Sequence, residues 1–195
     1  MIYPLRSVPV FLMLLTACSI RYDSDTMDLG FYQWNFWTEP EASSNGNPGG
    51  PASGASGGMV AHPPSCGWEE LHLGNGKPVR IPATAGEHFS PDYKGVCWFH
   101  VRFTLPESWA ARDIAIEFEG TSGMTEVYLN EELVGGQMQG LGPFSVDVTG
   151  TIYYKRDNHL DIRICDPDPG RGGITGKIIL KSDPTTGKSH GSQAS

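Results

Sequence analysis

Carboxylates, histidines and cysteines carry the chemical reach of this chain. Glu117 and Glu119 lie two apart in a run of strand length, which puts them on one face about 6.5 Å apart. Cleavage of a glycosidic bond takes two carboxyl groups, about 5 Å apart for retention or roughly 6.5–9.5 Å for inversion, so the spacing is admissible. Alternating glutamates on the polar side of a strand are also the ordinary make-up of a solvated face, and that reading is preferred. Glu131-Glu132 fall at a hairpin tip, and Asp166-Pro167-Asp168-Pro169 is a stiff turn. Asp166 and Asp168 bring oxygen ligands to that turn, the start of a structural calcium site, and no other cofactor is expected. His62, His72, His88, His100, His159 and His190 are dispersed, with no His-x-x-x-His pair, and no Gly-x-Ser-x-Gly elbow occurs. No catalytic residue and no catalytic metal site is therefore expected.

The elements that would position these groups are strands. Gly95 to Gly150 holds four apolar-alternating runs cut apart by Pro, Gly and Asn-containing turns. Phe99, Val101, Phe103 and Leu105 share one side of the first run, with Trp98, His100, Arg102 and Thr104 on the other, so one buried and one wetter face are expected. Ile114, Ile116 and Phe118 repeat the alternation. Val127 and Leu129 oppose Glu126, Tyr128 and Asn130, and Asn130-Glu131-Glu132 turns the chain into Leu133-Val134 as a hairpin.

The sequence has 195 residues, a hydrophobic content of 38% and a net charge of −8, which suits one all-β domain with polar appendages. With an acidic balance and no Lys/Arg cluster, nothing attracts phosphate, and nucleic acid is not expected as a partner. Pro40 to Ser65 collapses to Gly, Pro, Ser, Ala and Asn and reads as a disordered insertion within the domain. Its closure cost grows only logarithmically with length. Gly74-Asn75-Gly76 reads as a turn between short runs, and Ala83 to Lys94 as a loop carrying His88, Asp92 and Tyr93.

Met1 to Ala17 has a thin basic start at Arg6 and a short apolar run from Val8 to Leu15, too short to span a bilayer. Leu15-Thr16-Ala17-Cys18 resembles a bacterial lipoprotein signal, which implies a lipid anchor on Cys18 and, with Ser19 following, the outer membrane of the cell envelope. A plain secretory signal, leaving the protein secreted or periplasmic, is the competing reading. Residues 18–27 then form a tether. Of the cysteines, Cys66, Cys97 and Cys165 remain, and export suggests one disulfide and one spare thiol. Alternation sets Cys97 and Cys165 on different faces, so the pairing stays open.

A series of short motifs carries a wider resemblance. Leu29-Gly30 before Trp34, then Trp98-Phe99, Leu105-Pro106, Trp109, Phe118-Glu119-Gly120, Val127-Tyr128-Leu129-Asn130, Val134-Gly135, Pro143-Phe144, Asp147-Val148, Asn158-His159-Leu160 and Gly172-Gly173-Ile174 occur in this order. Together they resemble the N-terminal sugar-binding domain of family-two glycoside hydrolases. The resemblance implies a galactose-binding-like jelly-roll β-sandwich over residues 28–181, a carbohydrate partner, and a polar tail at 182–195. It also implies that the catalytic glutamates belong to a barrel for which this sequence leaves no room.

Sugar recognition takes aromatic platforms and convergent polar groups, for which Tyr93, Trp98, His88, Asp92, Gln137, Gln139 and Arg171 are the candidates, with scaffold as the competing role of Trp98. Two departures stand out. Phe99-His100-Val101 replaces the family's Tyr-Arg-Arg, and Gly176-Lys177 replaces the Arg-Asp of the galactosidases. Three functions compete: a non-catalytic carbohydrate-binding or accessory module at the bacterial surface, one piece of a split glycoside hydrolase completed by a partner chain, and a protein-interaction lipoprotein that no longer binds sugar.

Overall fold

In a computed structural model the described residues are 25–39, 59–138, 140 and 142–184. The leader at 1–17, Cys18, most of the tether, residues 40–58 of the insertion, Gln139 and the tail from 185 onward lie outside them.

The chain order begins with β1 (Thr26–Asp28), a single 3-10 turn at Leu29–Phe31, and β2 (Trp34–Thr38). After the insertion come α1 (Trp68–His72), β3 (Lys77–Val79), β4 (Ala83–Thr84) and α2 (Ala85–His88). The central strands are β5 (Gly95–Thr104), β6 (Arg112–Phe118), β7 (Thr121–Ser122), β8 (Met124–Leu129) and β9 (Glu132–Gln137). The chain closes with β10 (Phe144–Asp147), β11 (Asp157–Asp166), β12 (Gly173–Ile174) and β13 (Ile178–Pro184). All named pairings are antiparallel, in a six-stranded sheet ordered β3-β2-β5-β11-β8-β9, a four-stranded sheet ordered β1-β13-β6-β10, and a small sheet β4-β12-β7. This is the all-β sandwich that the alternating runs predict.

Alternation fills the core. Phe99, Val101 and Phe103 of β5, Leu160, Ile162 and Ile164 of β11, and Val127 and Leu129 of β8 face Ile114, Ile116 and Phe118 of β6 and Ile178 and Leu180 of β13 in one buried cluster. Each fully buried aliphatic or Phe side chain contributes about 1.5–3 kcal/mol. The hairpin is also as expected: Asn130 and Glu131 both take positive φ, 52° and 73°, as a two-residue primed turn requires. Gly173 has a packing reason, because a Cβ there would meet the Ala83 carbonyl oxygen at 2.4 Å, inside the β4-β12-β7 sheet.

The outer face of β5 departs from expectation. Trp98 and His100 are only 1% and 3% exposed, because α1 covers them. Leu71 of α1 packs with Trp98 and Tyr128 in a second cluster flanked by Trp37, Trp68, Val96 and Leu133. A five-residue helix has no stability of its own, so it forms because Leu71 and Trp68 find this apolar floor. Gly67 starts it at φ 86°, a conformation only glycine adopts readily. Trp68 to His72 is thus helical rather than one of two short runs around the 74–76 turn.

Three edges of the domain also move. Thr26 and Met27, at the end of the expected tether, pair with Lys181 and Leu180. The last strand runs to Pro184, with the Ser182 N–H bonded to the Asp25 carbonyl. Residues 59–65, assigned to the insertion, include His62, whose backbone N–H donates to the Tyr128 oxygen at 2.6 Å on the sheet. The three described cysteines are all free thiols rather than a disulfide and a spare. For Cys97 and Cys165 register explains it, since Cys97 stands opposite Ile164 and Cys165 opposite Val96, with the two side chains on opposite faces.

Candidate functional site

Two places gather polar groups. The first is a loop surface at one end of the sandwich. Thr84 caps α2 in a reciprocal box with Glu87, Glu87 N–H to Thr84 Oγ1 at 3.4 Å and Thr84 N–H to Glu87 Oε2 at 2.9 Å. The Ala85 and Gly86 N–H groups donate to the Gly172 and Gly170 carbonyls, and the Gly170 N–H donates to the Tyr93 carbonyl, each at 2.8 Å. These bonds fasten the 83–94 loop, which holds His88, Asp92 and Tyr93, to the 166–172 turn, which holds Arg171. Gln137 reaches the neighbouring small sheet, donating to Thr121 Oγ1 at 3.1 Å.

The roles within this group divide. Tyr93 shares its hydroxyl between the Glu39 and Val96 carbonyls at 2.8 and 2.6 Å, and packs against the main core. Asp92 and Arg171 are exposed, and Arg171 pairs with Asp168 at 2.6 Å. Trp98 is not part of this surface: its Nε1–H donates to Glu39 Oε1 at 2.9 Å beneath Trp68, so it is scaffold. Sequence reasoning missed Phe89, 61% exposed, edge-on to Tyr93 at 5.1 Å. Its signal was a phenylalanine in an otherwise polar loop, four residues before Tyr93. At the adjoining turn Asp166 accepts from Ser122 Oγ at 2.7 Å and from the Asp168 N–H at 2.9 Å. A calcium ion there would compete with Ser122 for Asp166 and with Arg171 for Asp168.

The second place is the outer face of the six-stranded sheet. Asp161, 0% exposed, stands directly opposite His100 in the β5/β11 register. Its Oδ1 lies 2.7 Å from His100 Nδ1 and its Oδ2 2.9 Å from His72 Nε2, the latter brought in by α1. Burial alone would raise the Asp161 carboxyl, and the bonds from His100 and His72 outweigh it, holding the group below the usual carboxylate range. His159 stacks on His72 at 4.1 Å and on His100 at 5.4 Å. Burial first, then the neighbouring imidazoles, lower its pKa, which favours its neutral form. One ring nitrogen from each of the three lies within 4.8 Å of the others.

Beside this triad, Glu126 is held by Arg163 at 2.8 Å, by His62 Nδ1 at 2.7 Å and by the Tyr128 hydroxyl at 2.5 Å. Burial, with the bond to Glu126, pushes the Tyr128 phenol up. The histidines look dispersed in sequence because a helix and two strands supply them. Only the pairing of Asp161 with His100, and the docking of α1, bring them together.

The two-sheet sandwich and its loop end define the class: an all-β sandwich domain. Residues 60–166, more than half of the chain, match the family described as glycosyl hydrolases family 2, sugar binding domain, and the chain belongs to that family. It is 36% identical over 69 residues to a β-galactosidase of Thermoanaerobacter pseudethanolicus, covering 35% of this chain and 9% of that protein. To a β-glucuronidase of Formosa agariphila it is 27% identical over 102 residues, 50% of this chain and 10% of the relative. The chain thus spans about a tenth of these relatives.

Among solved structures, a family 2 member from Bacteroides cellulosilyticus superposes with a TM-score of 0.59 at 15% identity, covering 82% of this chain and 21% of that one. A β-D-glucuronidase of Dictyoglomus thermophilum gives 0.58 at 17% identity, covering 82% and 28%. At these identities the likeness speaks to fold. No helix among the described residues is long and apolar enough to cross a membrane.

Proposed function

We propose that this chain is a non-catalytic carbohydrate-binding module, held at the bacterial envelope through a lipid on Cys18. The observation that carries the sugar-binding part is Phe89, an exposed aromatic on the loop that also holds His88 and Asp92, bonded through its backbone to the turn that holds Arg171. A flat apolar face beside polar side chains is what a pyranose ring, apolar on one side and hydroxylated at its edge, is recognised by.

The buried carboxylates support the non-catalytic part. All four oxygens of Asp161 and Glu126 have partners within the chain. Glu117 pairs with Lys181 at 2.7 Å, and Glu119 accepts from the Lys177 N–H at 3.0 Å. None of these is a pair of free carboxyls facing a substrate, as hydrolysis needs.

Calorimetric titration with β-galactoside and β-glucuronide oligosaccharides, the sugar classes named by the relatives, tests the reading. Phe89→Ala is expected to weaken binding about tenfold, equivalent to ~1.4 kcal/mol. No heat with any glycan, or equal affinity in the variant, would end it. The anchor is tested separately, by metabolic acyl labelling that disappears in Cys18→Ala.

A second reading is favoured by the family itself, whose description is glycosyl hydrolases family 2. The module then works as one piece of a split glycoside hydrolase. Activity on aryl-glycosides that appears only when a co-purified partner is added would support it.

A further inference from the structure

We propose that His72, His100 and His159 bind one divalent transition-metal ion, of the zinc, cobalt or nickel kind, which pins α1 to the six-stranded sheet. Imidazole nitrogens are suited to these ions, and each ring comes from a different element, α1, β5 and β11.

The hydrogen bonds leave the right atoms free. Asp161 accepts from His72 Nε2 and His100 Nδ1, so the protons sit on those nitrogens, and His72 Nδ1 and His100 Nε2 keep their lone pairs. A buried carboxylate that fixes the tautomer of a histidine from behind is the usual outer partner of a metal-binding imidazole. The third ring carries the independent sign: His159 Nδ1 is buried with no hydrogen-bond partner. An orphaned buried nitrogen is costly, and a metal ion removes that cost.

Charge agrees as well. Around a dication, three neutral imidazoles leave two positive charges, and the Asp161 carboxylate one bond further out offsets one of them. One nitrogen of each ring lies within 4.8 Å of the others, and because the rings are stacked with 18–28° between their planes they must turn as well as close to about 3.4 Å before three lone pairs meet at a tetrahedral ion with bonds of ~2.0–2.1 Å. That closure falls to α1, a five-residue helix held from one side. A water completes the tetrahedron, since His72 keeps 14% of its side chain exposed.

The test is titration of the purified, chelator-stripped chain with zinc(II) by calorimetry, and with cobalt(II) by visible absorption. One equivalent is expected to bind with micromolar or tighter affinity, with a tetrahedral cobalt spectrum and a higher melting temperature in zinc. Asp161→Asn should weaken binding about 10–100-fold, as loss of an outer partner does. His159→Gln and His72→Gln should abolish stoichiometric uptake, while Cys66→Ser and His190→Gln leave it intact. Near-UV circular dichroism without metal reports whether each variant keeps its fold, and His159→Gln, at a partly exposed position, decides if His72→Gln does not. No stoichiometric uptake by the unsubstituted chain overturns the proposal. So does retention in His159→Gln, or loss in Cys66→Ser or His190→Gln.

Discussion

Arg163 and Glu126 face each other across the β8/β11 ladder, 2.8 Å apart and almost fully buried. At such a site the Coulomb gain is offset by desolvation, so the pair adds little net stability, yet removing one partner strands the other charge at a cost of about 3–5 kcal/mol. Arg163→Met is therefore expected to destabilise the chain by that amount, and Glu126→Gln by a similar one. Because Tyr128 and His62 also lean on Glu126, the double variant should lose less than the sum of the singles. Urea unfolding of the four proteins measures the coupling, expected at about 0.5–3 kcal/mol. Strict additivity would mean that the contact is incidental.

At the level of elements, the β8-β9 hairpin carries its own strain. Glu131 sits at φ 73°, where a side chain with a Cβ is disfavoured by roughly 1–2 kcal/mol. Asn130 tolerates its φ of 52° better, and its side chain is used, donating to the Thr151 carbonyl at 2.9 Å. Glu131 is exposed and has no such compensation in the turn. Glu131→Gly, which creates the Asn-Gly sequence that primed turns favour, should raise stability by about 1 kcal/mol. Thermal melting checks it, and a lower melting temperature would contradict the turn assignment. The short helix α1 differs, since its conformation depends wholly on the floor beneath it.

Across the whole molecule, the free thiols report how the sandwich opens. Cys97 lies between the sheets at 0% exposure, and burial pushes its thiol up, so neither access nor thiolate is available in the folded state. Cys66 is exposed, with its thiol raised by partial burial and then by Glu39 and Glu70. A raised pKa means less thiolate at a given pH, so alkylation of Cys66 is slow near neutrality and accelerates as pH rises. Iodoacetamide labelling followed by mass spectrometry should mark Cys66 in the native protein and Cys97 only at urea concentrations that unfold the whole chain. Labelling of Cys97 well below the global transition would show that the two sheets separate independently.

What the sequence determined by itself was the sandwich and its core. Period-two alternation is a local property, so it alone places Phe99 with Val101 and Ile114 with Ile116 in the interior. The primed hairpin at Asn130 was legible for the same reason, since turn chemistry depends on adjacent residues. Only the tertiary structure decided what covers the outer face. The alternation that set Trp98 and His100 opposite the core could not say that Leu71 and His72 of α1 would lie over them, because those contacts join segments far apart in the chain. The histidine cluster followed from the same docking. Its members are 28 and 59 residues apart along the chain, and spacing reveals a site only when a single helix or turn supplies it. Here register between β5 and β11, set by burial of their opposite faces, brought Asp161 to His100, and the packing of α1 supplied His72.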